Sequence, residues 1–459
     1  MTWWQWEFKR TLRNRVFLTA SALLCLFVLT AFGYGRSQIN KQLQVIDRLE
    51  RLITESDQVY FQERFKDEEQ LGRACYYLSQ STAHKPLPEA SLSLGQRDLH
   101  SYHQIVRLRT LYAHLFDSGF SNPSQAAAGH FDLAFVLVFL LPLLVISLTF
   151  DTLSADAERR TLPLLRVSGL PLGKLVAGRL AVRFLLFGGL TLTLVGLSLM
   201  GCGAPLQSLA PWLTVTVAYL LFWFGLAGAV CSLGWSSTRN AGALLGLWTC
   251  LTLVGPAVLN LCLPRDAIKS GASITIRARQ VVNDGWDIDK EITAKAAVGV
   301  DPRYAEAPIL QEKFSWSWYY AMHDAGDAAV QEQAADYFRN LEENYRRSLS
   351  WSLLFPTVRM QLLLEEFSGT DLLSHLDYYL FVKQSRQDMR DELLPRVFSE
   401  ETVTKRQLLK LHDELPMKVY EPKRARLWSR EVLEFLLLSL LMAATSLILL
   451  HGVERSLRG

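Results

Sequence analysis

Apolar residues gather into six long runs along the chain. They extend from Val16 to Tyr34, Leu133 to Phe150, Leu180 to Met200, Trp212 to Leu233, Ala241 to Cys262 and Phe435 to Leu450. Each approaches the ~20 residues that a helix needs to cross the hydrocarbon core of a bilayer. Lipid offers no partner to a backbone N–H or C=O, so the pattern predicts spanning helices rather than open strands. Two long polar stretches, 35–131 and 263–431, interrupt the runs. In the first, Ile39, Leu43, Ile46, Leu49 and Ile53 recur at helical spacing, and residues 327–347 and 372–394 of the second also predict helices. Ser273 to Ala278 alternates apolar and polar residues and predicts a short strand.

The expected fold is an all-α polytopic membrane protein with six transmembrane helices and two mainly helical extracytoplasmic domains. The expected divisions are an entry helix and first span (1–34), a first domain (35–131), four spans (132–262), a second domain (263–431) and a last span with its tail (432–459). The entry helix carries Trp3, Trp4, Trp6 and Phe8, then Lys9, Arg10, Arg13 and Arg15. Aromatic and basic residues of this kind suit the interface ahead of a retained anchor, and no small-residue cleavage site follows.

Charge then sets orientation. If the spans alternate, Arg13 and Arg15, the loop residues Arg159, Arg160, Arg166, Lys174 and Arg179, then Arg239, Arg455 and Arg458 all fall on one side. The positive-inside rule makes that side the cytoplasm, with both termini inside and the protein in a bacterial inner membrane. The two polar stretches exceed the ~60 residues within which loop charge reports orientation, so they are silent on it. Composition is 50% hydrophobic and 20% charged with a net charge of +3, which points to lipid and away from a nucleic-acid partner. Cys25, Cys231 and Cys250 fall in apolar runs, while Cys75, Cys202 and Cys262, an odd three, make no disulfide framework.

Catalytic motifs are missing. The segment from Gly169 to Lys174 has only three residues between its glycines and Leu175 after the lysine, so it is not a phosphate loop. His100 and His103 have a spacing found in some metal sites, but nearby acids are few and the pair reads as solvated helix histidines. Charge is nearly absent within the spans; Asp132 and Glu434 sit at outer ends and Arg183 at an inner end, which disfavours an ion-coupled path. Phe222, Trp223 and Trp248 either pack within the spans or line a hydrophobic substrate surface. The most informative segment is the loop 151–179. It has Asp156 and Glu158, an apolar stripe of Leu162, Leu164, Leu165 and Val167, and a Ser168–Pro171 turn. Amphipathicity fits two roles: seating in a groove of a cytoplasmic subunit, or lying on anionic lipid.

The run NPSQAAAGHFDLAFVLVFLLPLLVISLTFDTLSADAERRTLPLL resembles the ABC-2 type permeases, specifically the branch with a DUF3526 extracytoplasmic domain. The matching positions are Asn122, Pro123, Gly129, Phe131, Asp132, Pro142 to Leu144, Asp151, Glu158, Thr161, Leu162, Leu164 and Leu165. In the loop Arg160 stands where the family usually has Gly, and Ala157 where it often has Arg. Far downstream, Gly369, Thr370, Asp371, Phe381 and Arg386 match a second family signature, and the entry helix is similar too. Chemically, Gly369 suits the end of one helix and Thr370 or Asp371 the N-cap of the next.

The resemblance implies a membrane-spanning exporter subunit with no nucleotide site or bound cofactor of its own. Two copies of a separate ABC ATPase, holding ATP and Mg, would drive a pair of permease protomers, identical or homologous. Asp156, Glu158, Arg159, Thr161, Leu162 and Leu165 would couple it to that ATPase. An alternative within the same frame is an ATPase-driven mechanotransducer or assembly factor acting on a periplasmic partner, with nothing transported. A receptor without any ATPase is a weaker third.

Overall fold

The computed structural model describes residues 3–116, 129–162, 165, 171–263, 270–310, 314–424 and 429–456. Among the described residues six helices are long and apolar enough to cross a membrane, and the chain is a membrane protein of mostly helical build. A short entry helix α1 (Trp3–Leu12) leads to α2 (Arg15–Arg64), N-capped by the Asn14 side chain. The expected first span ends near Tyr34, but α2 continues unbroken for 50 residues, about 75 Å at 1.5 Å per residue. The helical spacing of Ile39, Leu43 and Ile46 is the reason, since it prolongs one stripe.

The second span, α3, comprises Leu133–Phe135 and Leu141–Thr149 joined through a π-turn, Val136–Leu140. A five-residue helix, α4 (Ser154–Glu158), opens the following loop. The next spans are α5 (Leu172–Cys202), α6 (Leu209–Cys231) and α7 (Ser237–Cys262). Two of these also carry π-turns, at Phe184–Gly188 and Cys250–Val254. Then come α8 (Gly271–Asp284), α9 (Lys290–Val300), α10 (Trp316–Trp351), α11 (Pro356–Ser368), α12 (Leu372–Phe398) and the sixth span α13 (Arg430–Ser456). The entry helix and the end of the last span lie at the loop end of the bundle: a Cβ on Gly173 would meet the carbonyl of Leu450 at 2.2 Å, and one on Gly178 would meet the Trp3 ring at 2.4 Å.

The prolines show how the bundle keeps its backbone satisfied. Pro142 has no N–H for the turn before it, and the Val138 carbonyl accepts the buried Tyr219 hydroxyl at 2.7 Å. The adjacent Phe139 carbonyl accepts the Trp248 indole N–H at 3.2 Å. At the π-turn of α7, the Gly255 N–H reaches back to Cys250 and Pro256 has none to give. The Leu251 carbonyl takes the Thr357 hydroxyl instead, at 2.5 Å. Thr357 belongs to α11, whose Met360, Leu363, Leu364 and Phe367 enter the core of the spans. The bundle therefore borrows a helix from the polar part of the chain.

The two polar stretches form a single unit rather than two domains. β1 (Glu68–Gln70) pairs with β4 (Thr402–Thr404), and β2 (Gln80–His84) lies between β3 (His103–Val106) and β5 (Lys418–Tyr420). One hydrophobic cluster joins Phe61, Leu71 and Leu108 of the first stretch to Tyr320, Tyr378 and Leu393 of the second. These strands are three to five residues long, and β1 and β2 each take a partner from the other stretch. Ser273 to Ala278 is helix within α8, not strand: Ile274 and Ala278, one turn apart, are buried while Ile276 is 66% exposed. His103 lies in β3 while His100 stacks on His375 with ring centroids 4.1 Å apart, so the two do not share a helix. All six cysteines are free thiols, Cys75 and Cys231 buried.

Tyr219→Phe removes the donor from the Val138 carbonyl without changing the ring. It should destabilise the bundle by about 1 kcal/mol, read as a lowered melting temperature of the purified protein.

Candidate functional site

The loop after α3 is organised by two arginines one turn apart on α5. Arg179 is 4% exposed. Its Nη1 donates to the Asp156 carboxylate and to the Thr152 carbonyl at 2.9 Å, and its Nε lies 4.0 Å from Glu7 of the entry helix. Arg183 donates to the Leu148 carbonyl and to the Thr152 hydroxyl at 2.8 Å, with Asp151 at 4.0 Å. A buried guanidinium is costly unless several acceptors face it, and here they come from α1, the end of α3 and α4. Glu7 is 1% exposed, so the entry helix is keyed into the same cluster through its one acid.

The sequence-predicted coupling residues divide into two sets. Asp156 points inward; besides Arg179 it accepts the Thr161 hydroxyl at 3.2 Å, which draws the chain back on itself. Leu162 is half-buried and packs against the bundle core. Leu165 is half-buried, and Leu164, Val167, Ser168 and Gly169 lie outside the described residues. Among the described residues of the expected amphipathic helix, Ser154–Glu158, Leu162 and Leu165 are helical, and Leu162 faces the bundle. The exposed face is polar: Ala157, Glu158, Arg159 and Arg160. Glu158 accepts the Ser237 backbone N–H at 2.8 Å and the Ser237 hydroxyl at 3.0 Å, an acid at the N-terminus of α7. Arg160 has φ 58°, the left-handed region that favours glycine. The backbone bend thus persists where the resembling family usually has glycine.

Phe222 and Trp223 are 7% and 1% exposed within α6, and Trp248 is half-buried with its N–H bonded to α3. Within the chain Phe222 and Trp223 belong to the bundle core and Trp248 packs against it.

A second locus ties the bundle to the unit formed by the two polar stretches, and the downstream signature builds it. Gly369 ends α11 at φ 62°, and the Asp371 carboxylate caps α12 by accepting the Leu373 N–H at 3.0 Å. Between them the Thr370 hydroxyl donates to the Ser93 carbonyl at 3.0 Å. Residues 88–97 are in turn wedged on the spans: the Asp132 carboxylate accepts the Leu94 N–H at 2.8 Å, and a Cβ on Gly35 would sit 1.9 Å from the Ser91 carbonyl oxygen. Glu89, fully buried, takes the Ser208 hydroxyl and Arg424. Burial raises the Glu365 carboxyl to about 7 beside this joint. Burial also lowers His84 to about 3 and His375 to about 2, helped by Arg97 and, for His375, by His100 as well, so these rings are neutral.

Arg386 of the signature anchors the first polar stretch to the second. Its Nε donates to the Arg109 carbonyl at 2.9 Å and its Nη2 to Asp324 at 3.2 Å. Asp327 accepts the Leu111 and Tyr112 N–H groups at 3.0 and 3.1 Å. Arg390, Asp301 and Tyr304 complete the buried network. Phe381 is half-buried against Tyr420, ring centroids 5.6 Å apart. Glu7, Asp324 and Asp301 were not marked by spacing. The one signal available was Glu7, a lone acid inside an aromatic and basic helix.

Among known proteins, a family model described as a domain of unknown function (DUF3526) matches residues 272–413. It spans α8 to α12 and the following helix, Lys405–Asp413, and so holds Arg386, Arg390 and the Gly369–Asp371 turn. No curated protein and no solved structure matches the chain.

Arg179→Met leaves the buried Asp156 without its cation and Glu7 with Arg10 alone, at 3.5 Å, and should cost about 3–5 kcal/mol. Adding Asp156→Asn should recover part of that loss, in a double-mutant cycle read by thermal unfolding. Arg160→Gly should leave the fold intact and stabilise it by up to about 1 kcal/mol, since only the side-chain strain at positive φ is removed.

Proposed function

We propose that this chain is the membrane-spanning subunit of an ABC-type exporter, driven by a separate ATPase that docks on the loop 151–162. The observation that carries this reading is the Arg179 cluster. It joins the loop, the entry helix and α5 into one body, and Glu158 adds the start of α7. A push on the exposed Glu158–Arg160 face is therefore felt by several spans together instead of being absorbed by a slack loop. The basic residues flanking the runs support a cytoplasmic position for this end of the bundle, with the unit of polar stretches beyond the membrane. ATP and Mg belong to the partner, present in two copies; a second permease protomer completes the path.

A second reading has one specific observation behind it. The helix α2 runs without a break from the loop end of the bundle into the core of the outer unit, where Phe61 is 1% exposed. Such a rod suits delivery of mechanical work to a partner of the outer unit, with no cargo crossing.

Glu158→Lys tests the docking common to both. It reverses an exposed charge and removes the two bonds to Ser237, while the Arg179 cluster stays whole. The expected result is about tenfold weaker retention of the ATPase on co-purification, with a melting temperature lowered only slightly by the loss of the Ser237 bonds. Unchanged retention and unchanged ATPase stimulation would overturn the coupling role. Stimulation of ATP hydrolysis by a molecule that accumulates in proteoliposomes separates export from mechanical work.

A further inference from the structure

The outer unit contains a cavity of about 560 Å³ between α10 and α12. That is within the ~300–1,000 Å³ range of small-molecule sites. Its floor is apolar and partly aromatic: Leu115, Phe338, Leu376 and Tyr379. Its mouth carries Arg339, Arg346 and Lys383. Arg339 is held by Asp336 at 3.3 Å and Arg346 by Glu342 at 2.8 Å, both exposed pairs. Lys383 is exposed and has no ion pair among the described residues.

The cavity does not stand alone. A second groove of about 370 Å³ shares Arg346, Leu373 and Asp377 with it. This groove runs down to Ser429 and Glu431, where the sixth span begins. A polar path thus leads from the surface of the bundle to an apolar chamber. A groove that reaches the start of the sixth span, a greasy interior and a spare cation at the rim suit a molecule that has a single apolar chain and an anionic end.

We infer that the cavity binds a single-chain anionic amphiphile, its apolar chain against Phe338 and Tyr379 and its anionic end at Lys383. This names a substrate class and rests on the exporter reading, but the binding itself needs no ATPase and is tested without one. The full chain, in lipid nanodiscs, is photolabelled with a twelve-carbon fatty acid carrying a diazirine at its far end, and labelled peptides are mapped by mass spectrometry. Label is expected on peptides of α10 and α12, saturable, and displaced by lauric acid at least tenfold better than by dodecanol. Ala335→Trp, an exposed wall position, should abolish that label while labelling of the spans persists as an internal check on folding. Lys383→Glu should weaken displacement by lauric acid and leave dodecanol unchanged. Label confined to the spans, label in α10 and α12 that survives Ala335→Trp, or equal displacement by acid and alcohol would each overturn the inference. A negative result here leaves ATPase docking untouched, and a loss of docking leaves this label untouched.

Discussion

A guanidinium taken out of water at the end of a bundle has to be surrounded, and Arg179 is surrounded by three parts of the chain. Asp156, the Thr152 carbonyl and Glu7 come from α4, the turn before it and the entry helix. The charge is a constraint more than a source of stability, because ion pairs of this kind seldom outweigh their desolvation. What it does supply is a single arrangement: the loop cannot shift against α5 without leaving a buried charge uncovered. With the inner residues so fixed, Glu158, Arg159 and Arg160 are presented on a firm base.

The far end obeys the same logic with neutral donors. Helices that cross lipid must satisfy every carbonyl, yet α3 and α7 contain prolines next to π-turns. Tyr219, Trp248 and Thr357 provide the hydrogen bonds that these breaks require. Thr357 is the consequential one, since it brings α11 against the spans, and α11 ends at Gly369 in the joint with residues 88–97. A π-turn, a proline, one hydroxyl and one helix thus lead from the spans to the unit formed by the two polar stretches. Local irregularities of this kind are where spanning helices can change register, and here each faces a partner that would have to move with it.

Much of this was legible in the chain because the governing rules are local. A run of apolar residues is a span wherever lipid forbids other answers, and the boundaries of α6, α7 and α13 fall within a few residues of the apolar runs. Capping is equally local, so Gly369 and Asp371 announced their roles. The failures came where the outcome depends on distant partners. Nothing in residues 68–70 points to 402–404, so one shared core reads as two domains. The loop's apolar stripe was legible, but whether Leu162 faces the bundle or a foreign groove depends on Arg179, a turn of another helix. Ser273 to Ala278 alternates convincingly, and only the burial of Ile274 with Ala278 reveals the helical period.

The claim that the Glu158–Arg160 face meets an ATPase is tested most directly by a photoreactive amino acid at Arg159, in native membranes. The account predicts an ultraviolet-dependent crosslink to a soluble nucleotide-binding subunit, lost when that subunit is deleted. A probe that reaches only lipid, or an adduct formed from the opposite side of the membrane, would contradict it.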